Sequence, residues 1–118
     1  MPRRKPSVEE NAGRLVRKAA DVLQDRTWVQ GEFGDADKGM CAVTSIHFTA
    51  TGDSKNAAQS DRRPRLVNDT IRTFGNWLEA AGLTNFGSIP VWNDASDRTK
   101  DEVLQMMRKF ADEMDPQR

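Results

Sequence analysis

The sequence predicts a mainly α-helical fold, with one small domain of about four helices and an extended crossover, containing proline and tryptophan, before the last helix. Apolar residues recur three or four positions apart in several segments, which places them on one face of a helix. Ser7 with Glu10, and Thr99 with Glu102, have the spacing of capping boxes, in which two side chains satisfy backbone N–H groups of a first helical turn. Pro90 predicts the crossover, because proline lacks an N–H and biases the preceding residue to an extended backbone.

The first helix is predicted to begin at Ser7. Its apolar residues share one face, and charges of both signs occupy the other face, which we expect to be solvated. The apolar set comprises Val8, Ala12, Leu15, Val16, Ala19, Val22 and Leu23.

Residues 27–39 are rich in glycine and aspartate, which predicts a loop with one short hairpin. Residues 40–51 support two interpretations. Their β-branched and aromatic side chains favour a strand, whereas helical spacing favours a helix. We favour the helix, on the spacing of Ala42, Val43, Ile46 and Ala50.

The clearest core helix is predicted from Val67 to Ala81, because its apolar residues step by three and four and Gly82 can turn left-handed past its end. Ile89, Val91 and Trp92 are expected to cross the helices as an extended apolar strap. The last helix is then predicted to start at Thr99 and to stop near Pro116. Its apolar stripe consists of Val103, Met107, Phe110 and Met114.

Composition predicts a flexible basic tail at residues 1–6 and a single helical domain at residues 7–115, with a polar loop at residues 51–64. A chain of 118 residues is long enough to bury one core. The formal net charge is zero, with 36% hydrophobic and 31% charged residues. This balance argues against a general phosphate binder and makes nucleic-acid binding a minority hypothesis.

Cys41 and His47 are each the single residue of their kind, which excludes an internal disulfide and gives no support to a Cys–His dyad or a metal centre. The sequence has no glycine-rich phosphate-binding motif, and no apolar run approaches the roughly 20 residues of a membrane span. We therefore expect no cofactor, no metal and no membrane association, and we expect a cytoplasmic location. The oligomeric state stays open.

Three motifs resemble those of a family of small proteins of unknown function from actinobacteria and their phages. They are W-x-Q-G at Trp28, a helix start at Cys41, and W-N-D-x-x-x-R-T-x-x-E-V at Trp92. The second motif has the pattern C-x-x-G, and Thr44 stands at the position of its glycine, so the chain departs from the pattern there. The resemblance implies a mainly helical domain and favours a helix over residues 40–51, and it implies no activity.

Six residues form the candidate site, which we call the candidate corner: Trp28, Gln30, Trp92, Asn93, Asp94 and Arg98. Aromatic rings beside amides can anchor and orient a partner. The leading hypothesis is a non-catalytic module that binds a protein partner and is encoded by a phage or mobile element. A purely structural corner is the alternative interpretation of the same residues.

Two other functions stay open. The first is a small enzyme or ligand-binding protein that uses Asp94 and Arg98, with His47, around a pocket. The second is a nucleic-acid-binding accessory protein, against which the neutral charge counts. Its candidate contacts are Arg3, Arg4, Lys5, Arg62, Arg63 and Arg65.

Overall fold

The helices of this protein pack around its first helix. In the computed structural model, which describes residues 4–116, α1 contacts α2, α3 and α5. The apolar faces of these helices therefore share one core, and the predicted mainly helical fold is confirmed. The five α-helices of the described residues are α1 at Val8–Gln24, α2 at Ala42–Thr51, α3 at Arg65–Ala80, α4 at Ile89–Asn93 and α5 at Lys100–Met114.

Aromatic rings from three helices meet in the middle of the core. The ring of Phe74 on α3 lies 4.9 Å from that of Phe110 on α5 and 5.6 Å from that of Trp92 on α4, between ring centroids. All three side chains are fully buried. Aromatic pairs at these separations add to the free energy gained by burial alone, so this cluster joins α4 to the main bundle.

Both predicted capping boxes are present. At the start of α1, Ser7 and Glu10 each bond the other's backbone N–H, and Thr99 and Glu102 do the same at the start of α5. Gly82 follows the end of α3 with a φ of 75°. These local signals set the helix ends as predicted.

The predicted basic tail lies partly outside the described residues, which begin at Arg4. The Arg4 guanidinium donates a hydrogen bond to Glu10 over 2.7 Å. This bond holds the pKa of Glu10 to about 2. The flexibility expected for residues 1–6 stays a prediction.

The segment before α2 forms the expected short hairpin, with β1 at Gly34–Asp35 antiparallel to β2 at Gly39–Met40. Residues 42–51 then form a helix, so the preferred interpretation of this segment is confirmed. β-branched residues are tolerated there because their hydroxyls have acceptors one turn earlier. Thr49 donates to the Ser45 carbonyl over 2.6 Å, and Thr51 to the His47 carbonyl over 2.8 Å.

The crossover before the last helix is a short helix, α4, and not the extended segment that the sequence predicts. Pro90 is accepted because it lies in the first turn, where a backbone N–H has no acceptor within the helix. Ser88 caps this turn by accepting a hydrogen bond from the Val91 N–H over 3.2 Å. Helical geometry turns Ile89 and Trp92 into the core and leaves Val91 57% exposed.

The loop between α3 and α4 lies directly against α3. A Cβ atom added to Gly75, in the middle of α3, would come within 2.0 Å of the Gly87 carbonyl oxygen. Only a residue without a side chain fits there, and the close approach holds the loop in one position on the helix.

We expect the substitution Gly75→Ala to destabilise the protein by about 1–3 kcal/mol, because the added methyl group collides with backbone. Intrinsic helix propensity alone would instead favour alanine by about 1 kcal/mol. Urea denaturation measures the sign of the change in the free energy of unfolding. Glu79→Ala, at an exposed position of the same helix, is the control and should change the free energy of unfolding by less than about 0.5 kcal/mol. A more stable Gly75→Ala variant would refute the close approach.

Candidate functional site

The candidate corner assembles around the side-chain amide of Asn93, which is fully buried. Its Oδ1 accepts hydrogen bonds from Trp28 Nε1 over 2.8 Å and from the Ala42 N–H over 3.1 Å. Its Nδ2 donates to the Val29 carbonyl over 3.0 Å and to Asp94 Oδ1 over 2.9 Å. The two acceptor sites and two donor sites of the amide are therefore all used. We call this arrangement the Asn93 hub.

Gln30 and Asp94 connect the loop after α1 to the end of α4. Gln30 Nε2 donates to the carbonyl oxygens of Asn93 over 3.0 Å and Ala95 over 2.8 Å. The Gly31 N–H donates to Asp94 Oδ1 over 3.0 Å. These side chains satisfy backbone groups in the loop after α1 and at or just beyond the last residue of α4, so they hold the two segments together.

Trp92 and Arg98 pack on each other at the start of α5. The Arg98 guanidinium lies 5.5 Å from the centroid of the Trp92 ring, and its Nε donates to the Trp92 carbonyl over 3.0 Å. Its Nη1 pairs with Glu102 over 3.1 Å. Trp92 is fully buried, and its indole N–H has no hydrogen-bond partner among the described residues. Trp92 and Asn93 therefore lie inside the folded protein, out of reach of a partner.

A small cleft of about 100 Å³ opens beside the hub. Of the predicted corner, Asp94 lines this cleft and Arg98 does not. No hydrogen bond or ion pair joins Asp94 to Arg98, so the two residues are not paired with each other. The residues that line the cleft are Gly31, Glu32, Phe33, Cys41, Pro90 and Asp94.

The thiol of Cys41 also lines the cleft but is a poor nucleophile. The side chain is 3% exposed, and its Sγ accepts the Thr44 N–H over 3.5 Å. Burial raises the pKa of the Cys41 thiol, which keeps it protonated near neutral pH. His47 is buried too, with its Nε2 3.8 Å from Asp53 Oδ2. The two residues have different neighbours, and neither activates the other.

Sequence reasoning missed two exposed apolar residues, one in the loop before α4 and one on α4 itself. Phe86, in the loop between α3 and α4, is 99% exposed and has a φ of 56°, in the left-handed region. Val91, on the outer side of α4, is the second. The signal for Phe86 was its position between Asn85 and Gly87, two turn-forming residues beyond the glycine that ends α3.

Two further findings for residues 4–116 concern metal binding and membrane spanning. No three His, Cys, Asp or Glu side chains in this range lie close enough together to hold one metal ion. None of its helices has both the length and the apolar composition that are required to cross a lipid bilayer.

Comparison with known families gives one match. The Family of unknown function (DUF6197) matches residues 8–113 of the chain. The chain belongs to this family. The DUF6197 match starts with α1 and ends inside α5, so it includes the Asn93 hub, the cleft and Phe86. No curated protein and no solved structure matched the chain.

Replacing Asn93 should destabilise this DUF6197 domain rather than alter a surface. Asn93→Ala leaves Trp28 Nε1 and the Ala42 N–H without an acceptor, and Asn93→Asp removes a donor and brings a second carboxyl group beside Asp94. We expect each variant to lose about 3 kcal/mol of unfolding free energy, because buried groups lose their partners.

Chemical denaturation measures this loss, and Asn85→Ala, at an exposed amide in a loop, is the matched control with an expected change below about 0.5 kcal/mol. If Asn93→Ala were as stable as the native protein, the hub would have no structural role.

Proposed function

We propose that this DUF6197 domain is a non-catalytic module that binds a protein partner through Phe86. One observation carries the proposal: a phenylalanine ring that is 99% exposed on a backbone with a φ of 56°. Exposure of the ring and the left-handed backbone both raise the free energy of the unbound protein. Burial of the ring in a partner would remove the free-energy cost of its exposure. Aromatic residues act as anchors at interfaces in this way.

The loop that carries Phe86 is held in place before any partner binds. Thr84 Oγ1 donates to the Ser88 carbonyl over 2.6 Å, and the Ser88 N–H donates to the Asn85 carbonyl over 3.1 Å. Gly87 rests on α3 at Gly75. An anchor that is already ordered loses less conformational entropy on binding, which favours affinity.

The proposed binding face continues along α4. Val91 presents an exposed aliphatic side chain five residues after Phe86, and Asp94 is exposed at the end of the helix. Gln30 is exposed beside it. In this proposal Asp94 and Gln30 are the parts of the candidate corner that a partner can touch, and Trp92 and Asn93 support them from the interior.

The enzyme alternative has less support in the geometry. Asp94 and Arg98 are both engaged by neighbours within the fold, and the Cys41 thiol is protonated. The cleft beside Asp94 has a volume of about 100 Å³. Small-molecule sites usually have volumes of about 300–1,000 Å³, so this cleft accepts a side chain better than a metabolite.

The nucleic-acid alternative has less support as well, because most of its described cationic side chains are already engaged. Arg4 pairs with Glu10, and Arg65 lies 3.7 Å from Asp69. Arg63 donates to the Ala57 carbonyl. Such local pairing lowers the net positive potential that draws a protein to phosphate groups.

We further propose that the module acts in the cytoplasm on a host protein. Its single cysteine is buried and free, so the fold depends on no disulfide and suits a reducing compartment. The motif resemblance to proteins of actinobacteria and their phages supports a host-directed role.

Photo-crosslinking tests the binding function. Benzoylphenylalanine at position 86 should give one discrete adduct with a second protein in native cells, whereas the same group at Leu66, 44% exposed on α3, should give none. Phe86→Ala should weaken the non-covalent complex at least about 10-fold, because the anchor is lost. Equal adducts from both positions, or an adduct only with a second copy of this chain, would overturn the proposal.

Phe86→Gly should stabilise the protein by about 0.5–1 kcal/mol, because glycine adopts a positive φ without strain and no packing is lost. Phe86→Ala keeps the strained backbone and should leave the free energy of unfolding unchanged within about 0.5 kcal/mol. Urea denaturation of the three proteins measures both values. A destabilised Phe86→Gly variant would show that residue 86 does not hold the left-handed conformation.

A further inference from the structure

The cleft beside the Asn93 hub has the chemistry of a site for a cationic side chain. We infer that it binds a lysine side chain of the protein partner, an inference that rests on the proposed protein-binding function. Three features of the cleft support lysine: its uncompensated negative charge, its apolar wall and the single free oxygen of Asp94.

The charge in the cleft is negative and has no counter-ion in the protein. Two of the residues that line it, Glu32 and Asp94, carry carboxyl groups, and none is basic. Within residues 4–116, neither carboxyl group forms an ion pair. A cation that enters the cleft therefore meets attraction without competition from a neighbouring lysine or arginine.

Other depressions of the surface have a different charge pattern. One of about 590 Å³ is lined by both Lys109 and Glu113, whose charges offset each other. Another of about 570 Å³ is lined by Arg14 and Lys18. Among these three depressions, a cation complements the small cleft best.

The apolar part of the cleft fits the stem of lysine. Phe33 and Pro90 contribute rings and Cys41 contributes a protonated thiol. Lysine packs its four methylene groups against such surfaces while its ammonium group stays at the polar edge. A volume of about 100 Å³ admits one side chain of this kind.

The hydrogen bonds of Asp94 favour lysine over arginine. Its Oδ1 already accepts from the Gly31 N–H and from Asn93 Nδ2, which fills both acceptor positions. Its Oδ2 receives no hydrogen bond from the described residues. An ammonium group can bond to one oxygen, whereas the arginine fork pairs best with both oxygens of a carboxylate. The hub also holds Asp94 in place before a ligand arrives.

Binding of a lysine probe tests this site directly. Amide NMR spectra of the ¹⁵N-labelled protein would be followed during titration with N-acetyl-lysine N-methylamide. Norleucine and arginine versions of the same probe serve as comparisons. We expect saturable shifts at Gly31, Glu32 and Phe33, with the norleucine probe at least about 10-fold weaker because it lacks the charge. Arginine should also bind more weakly than lysine.

Matched variants identify the carboxylate that binds. Asp94→Asn keeps an oxygen acceptor for Gly31 and a similar size, so the fold should persist while lysine affinity falls about 5-fold or more. Asp97→Asn removes an exposed carboxylate outside the cleft and should leave the affinity unchanged. The inference would be overturned by equal affinity for lysine and norleucine, by stronger arginine binding, or by an Asp94→Asn variant that binds as the native protein does.

These outcomes separate the lysine site from the proposed function. Phe86 does not line the cleft, so Phe86→Ala should bind the lysine probe normally. Crosslinking from position 86 without binding of the lysine probe would refute the lysine site and leave the proposed protein-binding function standing. Probe binding without a crosslinked partner would remove the proposed protein-binding function and keep the lysine specificity of the cleft.

Discussion

The buried amide of Asn93 is the constraint on which the rest of the site depends. It joins the end of α4, the loop after α1 and the start of α2 through hydrogen bonds in the protein interior. A buried amide with all its hydrogen bonds made contributes modestly to the free energy of unfolding. If the amide were removed, its partners would stay buried without hydrogen bonds, and the loss of stability would be much larger. The three segments are therefore held in one relative arrangement, and each of them contributes residues to the lining of the cleft.

The short helix α4 carries buried and exposed side chains within five residues. Its inner residues, Ile89, Trp92 and Asn93, fill the core and form the hub. Its outer side carries Val91, and the exposed Asp94 follows at its end. Because the inner side is buried in the core, the fold tolerates apolar and acidic groups on the outer side and in the preceding loop, including the strained backbone of Phe86.

Much of the fold could be predicted from the sequence, but little of the site could be. The helices at Ser7 and Thr99 were predictable because capping and apolar spacing act within one or two turns. α4 was not, because proline is compatible with both an extended strand and the first turn of a helix. The sequence placed Trp92 in an apolar strap across the helices, but the exposure of Phe86 was beyond local reasoning, since both side chains are aromatic and lie in the same connecting region.

The sequence by itself determined where α1 and α5 begin and which faces the long helices bury, because those interactions join residues three or four positions apart. It also indicated that four residues of the site belong to the motifs that resemble those of a protein family: Trp28, Gln30, Asn93 and Asp94. Only the tertiary structure decided that these motifs meet, that Asn93 is internal, and that Glu32 and Phe33 share a cleft with Asp94. The physical reason is distance along the chain: three of the hub's four hydrogen bonds span 51 to 65 residues, and only packing of the whole core can bring such partners together.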